Sequence, residues 1–62
     1  MALDVESFVM KLLRRFSSVK YFYKEFVYSE IEFFRKQSGF TCDASDDEIY
    51  EYFKMAWDHL AS

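Results

Sequence analysis

Apolar residues recur along the chain at the three- and four-residue spacing of amphipathic helices, in three separate stretches. The first stretch has one apolar stripe: Val5, Phe8, Val9, Leu12, Leu13 and Phe16. Asp4 precedes this stripe and is suited to accept hydrogen bonds from the free amides of a first helical turn. Arg14 and Arg15 fall at the other end, where cations complement the helix dipole. The pattern predicts a helix over about residues 4–16.

The second stretch is rich in aromatic residues and contains no glycine or proline. On a helical wheel its apolar positions form two adjacent seams: Phe22, Phe26 and Phe33 in one, and Tyr23, Val27, Ile31 and Phe34 in the other. Together the seams cover about half of the circumference, which is more than one neighbouring helix requires. The pattern predicts a central helix over about residues 19–37, on whose opposite face Tyr21 and Tyr28, seven residues apart, stack as a pair. Gly39 suits the left-handed residue that follows a helix, and Phe40 is expected to fold back onto that helix.

Ser17 and Ser18 interrupt the pattern between these two stretches. Because serine is a common N-cap, we favour a tight corner at this point. The alternative is one continuous helix over about residues 4–37, since no residue in that segment breaks a helix.

The clearest local signal opens the third stretch. Residues Ser45 to Glu48 read Ser-Asp-Asp-Glu, which is a capping box. The core stripe expected on the third helix consists of Ile49, Phe53, Ala56, Trp57 and Leu60. We predict this helix over about residues 46–60. The expected fold is all-α, a single domain over residues 1–62 in which a helical hairpin packs against a C-terminal helix.

The chain is short for an independent fold. A domain of 62 residues buries only about 60% of the surface that its unfolded chain exposes. Cys42 is the only cysteine, which excludes an internal disulfide, and His59 is the only histidine, which excludes an ordinary Cys/His zinc site. The remaining sources of stability are an unusually rich core or oligomerisation, and aromatic residues at 23% of the chain suit both. We therefore expect a homo-oligomer, most simply a dimer.

No group of residues predicts an enzyme. Cys42 and His59 are the only candidates for nucleophilic catalysis, and a small three-helix core offers little pocket around them. A calcium loop requires a central glycine and a terminal glutamate, and the acidic residues after Cys42 do not supply that spacing. We expect no catalytic, cofactor-binding or metal-binding residues, and Cys42 as a small apolar residue in a loop.

Charge is divided unevenly between the two parts of the chain, whose formal net charge is −3. Residues 1–40 carry seven Lys or Arg and five Asp or Glu, whereas residues 41–62 carry one and six. The basic face consists of Lys11, Arg14, Arg15, Lys20 and Lys24. The acidic face consists of Asp46, Asp47, Glu48, Glu51 and Asp58. The overall acidity disfavours direct nucleic-acid binding, and the lack of a membrane-spanning run or a signal peptide predicts a cytoplasmic protein.

The aromatic content exceeds what three short helices need internally. Tyrosine and tryptophan are favoured at interfaces, so some of the surplus is expected to bind a partner. Glu30 projects into the apolar arc of the second helix, where it either pairs with a Lys or Arg at the edge of a seam or sets the register of a subunit interface. The candidates for partner binding are Tyr21, Tyr28, Glu30, Tyr50, Tyr52, Met55 and Trp57.

Three fragments resemble the Hha/YmoA family of small bacterial regulators, which act by binding nucleoid-structuring proteins. They are Phe-Val-Met-Lys-Leu-Leu-Arg-Arg from Phe8, Ser-Ser-Val from Ser17, and Ser-Asp-Asp-Glu-Ile from Ser45 with the later Asp58-His59-Leu60. The segment before the capping box is longer here than in the family. The resemblance implies that acidic residues of the third helix, such as Asp47 and Asp58, face a basic partner helix.

Two functions follow as hypotheses. The first is a small protein–protein interaction module of the adaptor or inhibitor type, acting as a homo-oligomer. The second, implied by the resemblance, is an accessory regulator of a nucleic-acid or nucleoid protein complex that uses the basic face or the acidic face.

Overall fold

Three α-helices make up the fold, and the predicted all-α class is confirmed. The computed structural model describes residues 3–37, 39 and 41–61. Its helices are α1 (Val5–Arg14), α2 (Lys24–Arg35) and α3 (Asp46–Ala61). Within these residues the only strand-like pairing is an isolated parallel bridge between Leu3 and Cys42, where the Leu3 amide donates to the Thr41 carbonyl at 2.6 Å. No helix in the described part of the chain combines the length and the apolar content that crossing a membrane requires.

The first helix begins as its sequence predicts. Asp4 is the N-cap, and its Oδ1 accepts a hydrogen bond from the Ser7 amide at 2.8 Å. This bond holds the pKa of the Asp4 carboxyl below its ordinary value of 3.8, because it favours the charged form. The stabilisation from this cap is therefore present above the ordinary pKa and is lost as the pH falls through the lowered one.

The second helix begins five residues later than predicted, at Lys24 instead of residue 19. The continuous helix is wrong for this fold, because residues 15–18 form turns and residues 19–23 are not helical. The reason is Phe22, whose ring leaves the helical path and packs into the core at 5.0 Å from Phe53 and 5.2 Å from Trp57. We call residues 15–23 the connecting segment.

The two predicted seams of α2 are not buried as predicted, because Tyr23 of the second seam is exposed and Phe22 of the first packs against the core from outside the helix. Val27, Ile31 and Phe34 lie in the core, whereas Phe26 and Phe33 are 46% and 48% exposed. The prediction that α2 is the central helix is also wrong, since the most extensive helix pairing is α1 against α3. The apolar arc of α2 is therefore wider than the fold covers.

The helix directions follow from the contacts between aromatic rings. Phe8 meets Phe34 and Phe16 meets Phe26, so α1 and α2 are antiparallel. α3 returns along α2 and runs parallel to α1, with its Trp57 edge-on to Phe16. The core is entirely apolar: Phe8, Val9, Leu12, Leu13, Phe16, Val27, Ile31, Phe34, Cys42, Ile49 and Phe53.

The third helix confirms the predicted start but not the whole predicted stripe. The Glu48 amide donates to Ser45 Oγ at 3.2 Å, and the Glu48 carboxylate accepts from the same hydroxyl at 3.4 Å. The glutamate of this capping box therefore binds the side chain of Ser45 and not its backbone amide. Ile49 and Phe53 are fully buried. Leu60 was expected in the core but is 70% exposed, because the shorter α1 ends before the last turn of α3.

The loop between α2 and α3 is held by Arg35, which the sequence did not single out. Its Nε donates to Asp46 Oδ1 at 2.7 Å, and its two terminal nitrogens donate to the carbonyls of Cys42 at 2.9 Å and Ala44 at 2.5 Å. Gly39 has a left-handed backbone, with φ of 86°, as expected for glycine after a helix. The predicted return of Phe40 lies outside the described residues.

We predict that Arg35→Ala lowers the free energy of unfolding by about 2 kcal/mol, because two loop carbonyls and a carboxylate lose a charged donor. Arg35→Lys should recover only part of this loss, since a single ammonium cannot reproduce the geometry of the three hydrogen bonds that the guanidinium donates. Urea denaturation followed by circular dichroism measures both. Lys36→Ala is the control, because its exposed pair with Glu32 is worth at most about 0.5 kcal/mol. Equal stability of the Arg35 and Lys36 variants would contradict the structural role of Arg35.

Candidate interaction surface

An ion pair lies in the middle of the exposed seam of α2. Arg15, the C-cap residue of α1, donates from Nε to Glu30 Oε2 at 3.2 Å. The Glu30 side chain is only 14% exposed, so the pair replaces part of the hydration that the carboxylate loses. Of the two sequence-based alternatives for Glu30, the structure shows the pairing with an arginine at the edge of a seam.

Two phenylalanines flank this ion pair on α2. Phe26 precedes Glu30 by four residues, and its ring lies 5.1 Å from that of Phe16. Phe33 follows Glu30 by three residues, and the Arg15 guanidinium lies 5.9 Å from the centre of its ring. Arg15, Phe26, Glu30 and Phe33 thus form one surface, which we call the α1–α2 face. Neither phenylalanine was among the predicted partner-binding residues. The available signal was the width of the apolar arc of α2, which exceeds what one neighbouring helix covers.

The predicted tyrosine pair is not formed. Tyr21 lies in the connecting segment, 70% exposed, with its ring edge-on to Tyr23 at 6.0 Å. Tyr28 instead stacks on Tyr50 of α3 at 5.1 Å. The pairing required both tyrosines to lie in one helix, seven residues apart. Because α2 begins only at Lys24, Tyr21 lies outside the helix that contains Tyr28.

The Tyr28 hydroxyl links α2 to the first turn of α3. It donates to Asp47 Oδ1 at 2.5 Å. This bond to Asp47 raises the pKa of Tyr28 to about 12, because losing the phenolic proton would leave two anions facing each other. The ammonium of Lys24 lies 5.8 Å and 5.6 Å from the rings of Tyr28 and Tyr50, and that of Lys54 lies 5.5 Å from Tyr50. These residues thus serve to join two helices.

The other predicted partner-binding residues lie on α3 in different surroundings. Trp57 is half-buried and packs against Phe53 and Phe22 in the core. Tyr52 and the 65% exposed Met55 line a shallow depression that also includes Val5 and three acidic residues. The structure therefore does not bring the predicted set together as one surface.

The acidic residues of α3 are mostly engaged within the fold. Asp46 pairs with Arg35, and Asp47 accepts from Tyr28. Glu48 closes the helix cap, Glu51 pairs with Lys54 at 3.4 Å, and Asp58 is exposed. N-capping and local ion pairs explain most of this face.

The basic residues are dispersed over several surroundings. Arg15 pairs with Glu30, and Lys24 lies over two tyrosine rings. Lys11 and Arg14 line a depression along α1, and Lys20 lies beside a different one near the end of α3. They do not form the single basic face expected from the sequence.

The concave surfaces are shallow and mainly apolar. One depression of about 430 Å³ lies between the ends of α1 and α3 and is lined by Leu13, Phe16, Ser17, Val19, Lys20, Trp57 and Leu60. Cys42 is buried before α3 begins, whereas His59 is exposed in its last turn, roughly 20 Å further along the helix. Residues 3–37, 39 and 41–61 contain no group of three or more His, Cys, Asp or Glu residues arranged to hold a metal ion.

The chain matches no family model, and comparison with curated proteins and with solved structures gives no significant match. The resemblance of three fragments to the Hha/YmoA family is therefore not accompanied by a match over the chain.

We predict that one of the five tyrosines titrates near pH 12 and that Tyr28→Phe removes this titration. Because the folded-state pKa lies above the ordinary value of 10.0, the contribution of Tyr28 to stability is constant below pH 10 and falls as the pH rises to about 12. Ultraviolet absorbance of the phenolate measures the titration. Asp47→Asn should return the pKa of Tyr28 toward 10.0, whereas Tyr21→Phe should leave the late titration in place. Loss of that titration in Tyr21→Phe would contradict the assignment.

Proposed function

We propose that the chain is a small non-catalytic protein–protein interaction module that acts as a homodimer and binds a partner protein through the α1–α2 face. The observation that carries this proposal is the pair of half-exposed phenylalanines, Phe26 and Phe33, on either side of the Arg15–Glu30 ion pair. An adaptor or inhibitor acting in the cytoplasm is the role that this surface suits best.

The free energy available at this face is sufficient for recognition. A phenylalanine removes about 150–250 Å² from water when fully buried, so the exposed part of each ring amounts to roughly 70–120 Å². Covering it contributes about 2–3 kcal/mol for each ring. Two such anchors around a central polar group are typical of the few residues that dominate binding energy.

The shape of the face indicates the kind of partner. Phe26 and Phe33 are seven residues apart, which places them on the same side of α2 and about 10 Å apart along its axis. A partner helix that presents aliphatic residues at i, i+3 or i+4, and i+7 matches this spacing. Arg15 and Glu30 lie between the rings and already neutralise each other, so the partner needs no net charge at that point.

The alternative, an accessory regulator of a nucleic-acid complex, has weaker support. Its basic residues are dispersed, and two of them, Arg15 and Lys24, are engaged by Glu30 and by tyrosine rings. Lys11 and Arg14 on α1 are the residues through which such a role would act. Charge reversal at these two positions would separate the alternatives, because it leaves the α1–α2 face unchanged.

We predict that Phe33→Ser abolishes capture of the partner protein, because it removes one of the two apolar anchors. Met10→Ser is the matched control, since Met10 is 58% exposed on α1 and lies away from the face. Quantitative mass spectrometry compares the proteins captured from the native cell by three baits, namely the parent chain and the two variants. Circular dichroism should first show that both variants keep the helical content of the parent. The proposal is contradicted when every captured protein responds equally to the two substitutions.

A further inference from the structure

The connecting segment is held by the rings of Phe16 and Phe22 and by the amides of residues 15, 16 and 19, but its second half has a less complete set of backbone hydrogen bonds. Within the described residues, the amides of residues 20–23 donate no hydrogen bond, and Val19, Tyr21 and Tyr23 are exposed. There is nevertheless no glycine or proline between Val5 and Arg35. A segment with free amides and helix-compatible residues can gain backbone hydrogen bonds by becoming helical.

A line of apolar positions, interrupted only at Glu30, passes through this segment. Its positions alternate by four and three residues, the pattern of a coiled-coil seam: Val5, Val9, Leu12, Phe16, Val19, Tyr23, Phe26, Glu30 and Phe33. Only Glu30 in this line is charged. Four of its members, Val19, Tyr23, Phe26 and Phe33, are among the large apolar side chains that the fold leaves exposed. The seam spacing is therefore maintained through Phe16, Val19 and Tyr23, which lie between α1 and α2.

The packing of α1 on α2 already has the register of an antiparallel seam. Phe8 meets Phe34 and Phe16 meets Phe26, and the midpoint of each pair along the chain is residue 21. In an antiparallel coiled coil the two kinds of seam position face each other. With a centre at residue 21, Phe16 again faces Phe26, and Val19 faces Tyr23. The hairpin and a pair of straight helices thus share one register.

We infer that two copies associate by exchanging α1. In this dimer the connecting segment becomes helical and joins α1 and α2 into one helix over residues 5–35, about 46 Å long. The α1 part of each copy packs on α2 and α3 of the other, so the contacts of the hairpin are remade between copies. New contacts form at the centre, where Val19 of each copy meets Tyr23 of the other.

The balance between the two forms depends on the connecting segment, because the α1–α2 contacts are common to both. Phe22 favours the hairpin, since its ring contacts Phe53 and Trp57 in the core of a single copy. New backbone hydrogen bonds and the burial of Val19 and Tyr23 favour exchange. Because two chains combine, concentration shifts the balance toward the dimer.

This exchange rests on the homodimer of the proposed function and specifies how the second copy associates. The two-fold axis of two antiparallel helices is perpendicular to the plane that contains them. It therefore leaves both α3 helices on one side and both α1–α2 faces on the other. Exchange would give the partner protein a continuous apolar surface of twice the area.

Lys20→Pro tests the exchange. Proline is incompatible with a helix interior, and the Lys20 amide donates no hydrogen bond to the described residues of the hairpin. We expect Lys20→Pro to weaken dimerisation at least about tenfold in sedimentation velocity and Lys20→Ala to strengthen it. Circular dichroism of the parent chain should show helicity rising with concentration. A chain that remains monomeric, or a dimer that is equally stable in both variants, overturns the inference.

A chemical cross-link tells exchange from simple association. Arg15→Cys with Glu30→Cys, in a Cys42→Ala background, places two thiols at a contact that lies within one chain in the hairpin and between chains after exchange. A short bismaleimide should link two chains when the protein is dimeric and close a loop within one chain when it is dilute. Links within one chain at every concentration would overturn the exchange. That result leaves the capture experiment with Phe33→Ser unaffected, because the α1–α2 face is present in a single copy.

Discussion

The fold depends on the place where the ring of Phe22 enters the core. Phe22 contacts Phe53 and Trp57 of α3, and those two rings also contact Phe16, two residues after the end of α1. Because no glycine or proline interrupts the chain before this point, the break between α1 and α2 comes from this packing and not from a helix-breaking residue. The burial of one aromatic ring thus outweighs the local tendency to continue the helix.

This break determines which residues the fold leaves exposed. When the chain turns at the connecting segment, α1 packs chiefly against α3 and covers only one edge of α2. Phe26 and Phe33 on the other edge stay half-exposed, and the Arg15–Glu30 pair lies between them. The α1–α2 face therefore follows from the same packing that produces the hairpin. The same packing leaves the amides of residues 20–23 without a hydrogen-bond acceptor within the described residues.

The sequence predicted the elements that local chemistry determines. Asp4 and the Ser45–Glu48 box gave the starts of α1 and α3, since caps act through neighbouring amides. The predicted burial of Leu60 was wrong because α1 ends before the last turn of α3. The predicted start of α2 was wrong because Phe22 packs against Phe53 and Trp57, which are distant in sequence. The choice of Tyr21 and Tyr28 as a pair failed for the same reason.

Candidate residues of the surface were harder to predict than the helices. Glu30 was identified because a carboxylate in an apolar arc conflicts with the pattern, and its pairing with an arginine was one of the two alternatives. Phe26 and Phe33 were predicted only as members of a wide apolar arc, since a helical wheel shows the width of such an arc but not how much of it neighbouring helices cover. Arg35 gave no signal, because its acceptors include two backbone carbonyls of an irregular loop.

In the dimer that we infer, residues 20–23, whose amides donate no hydrogen bond within the described residues of one copy, become part of the helical centre. Hydrogen exchange at these amides, followed over a range of protein concentrations, reports whether that helix forms. We expect rapid exchange in dilute protein and strong protection of these amides at concentrations where the dimer forms. Rapid exchange at every concentration, in a sample shown to be dimeric, would contradict it.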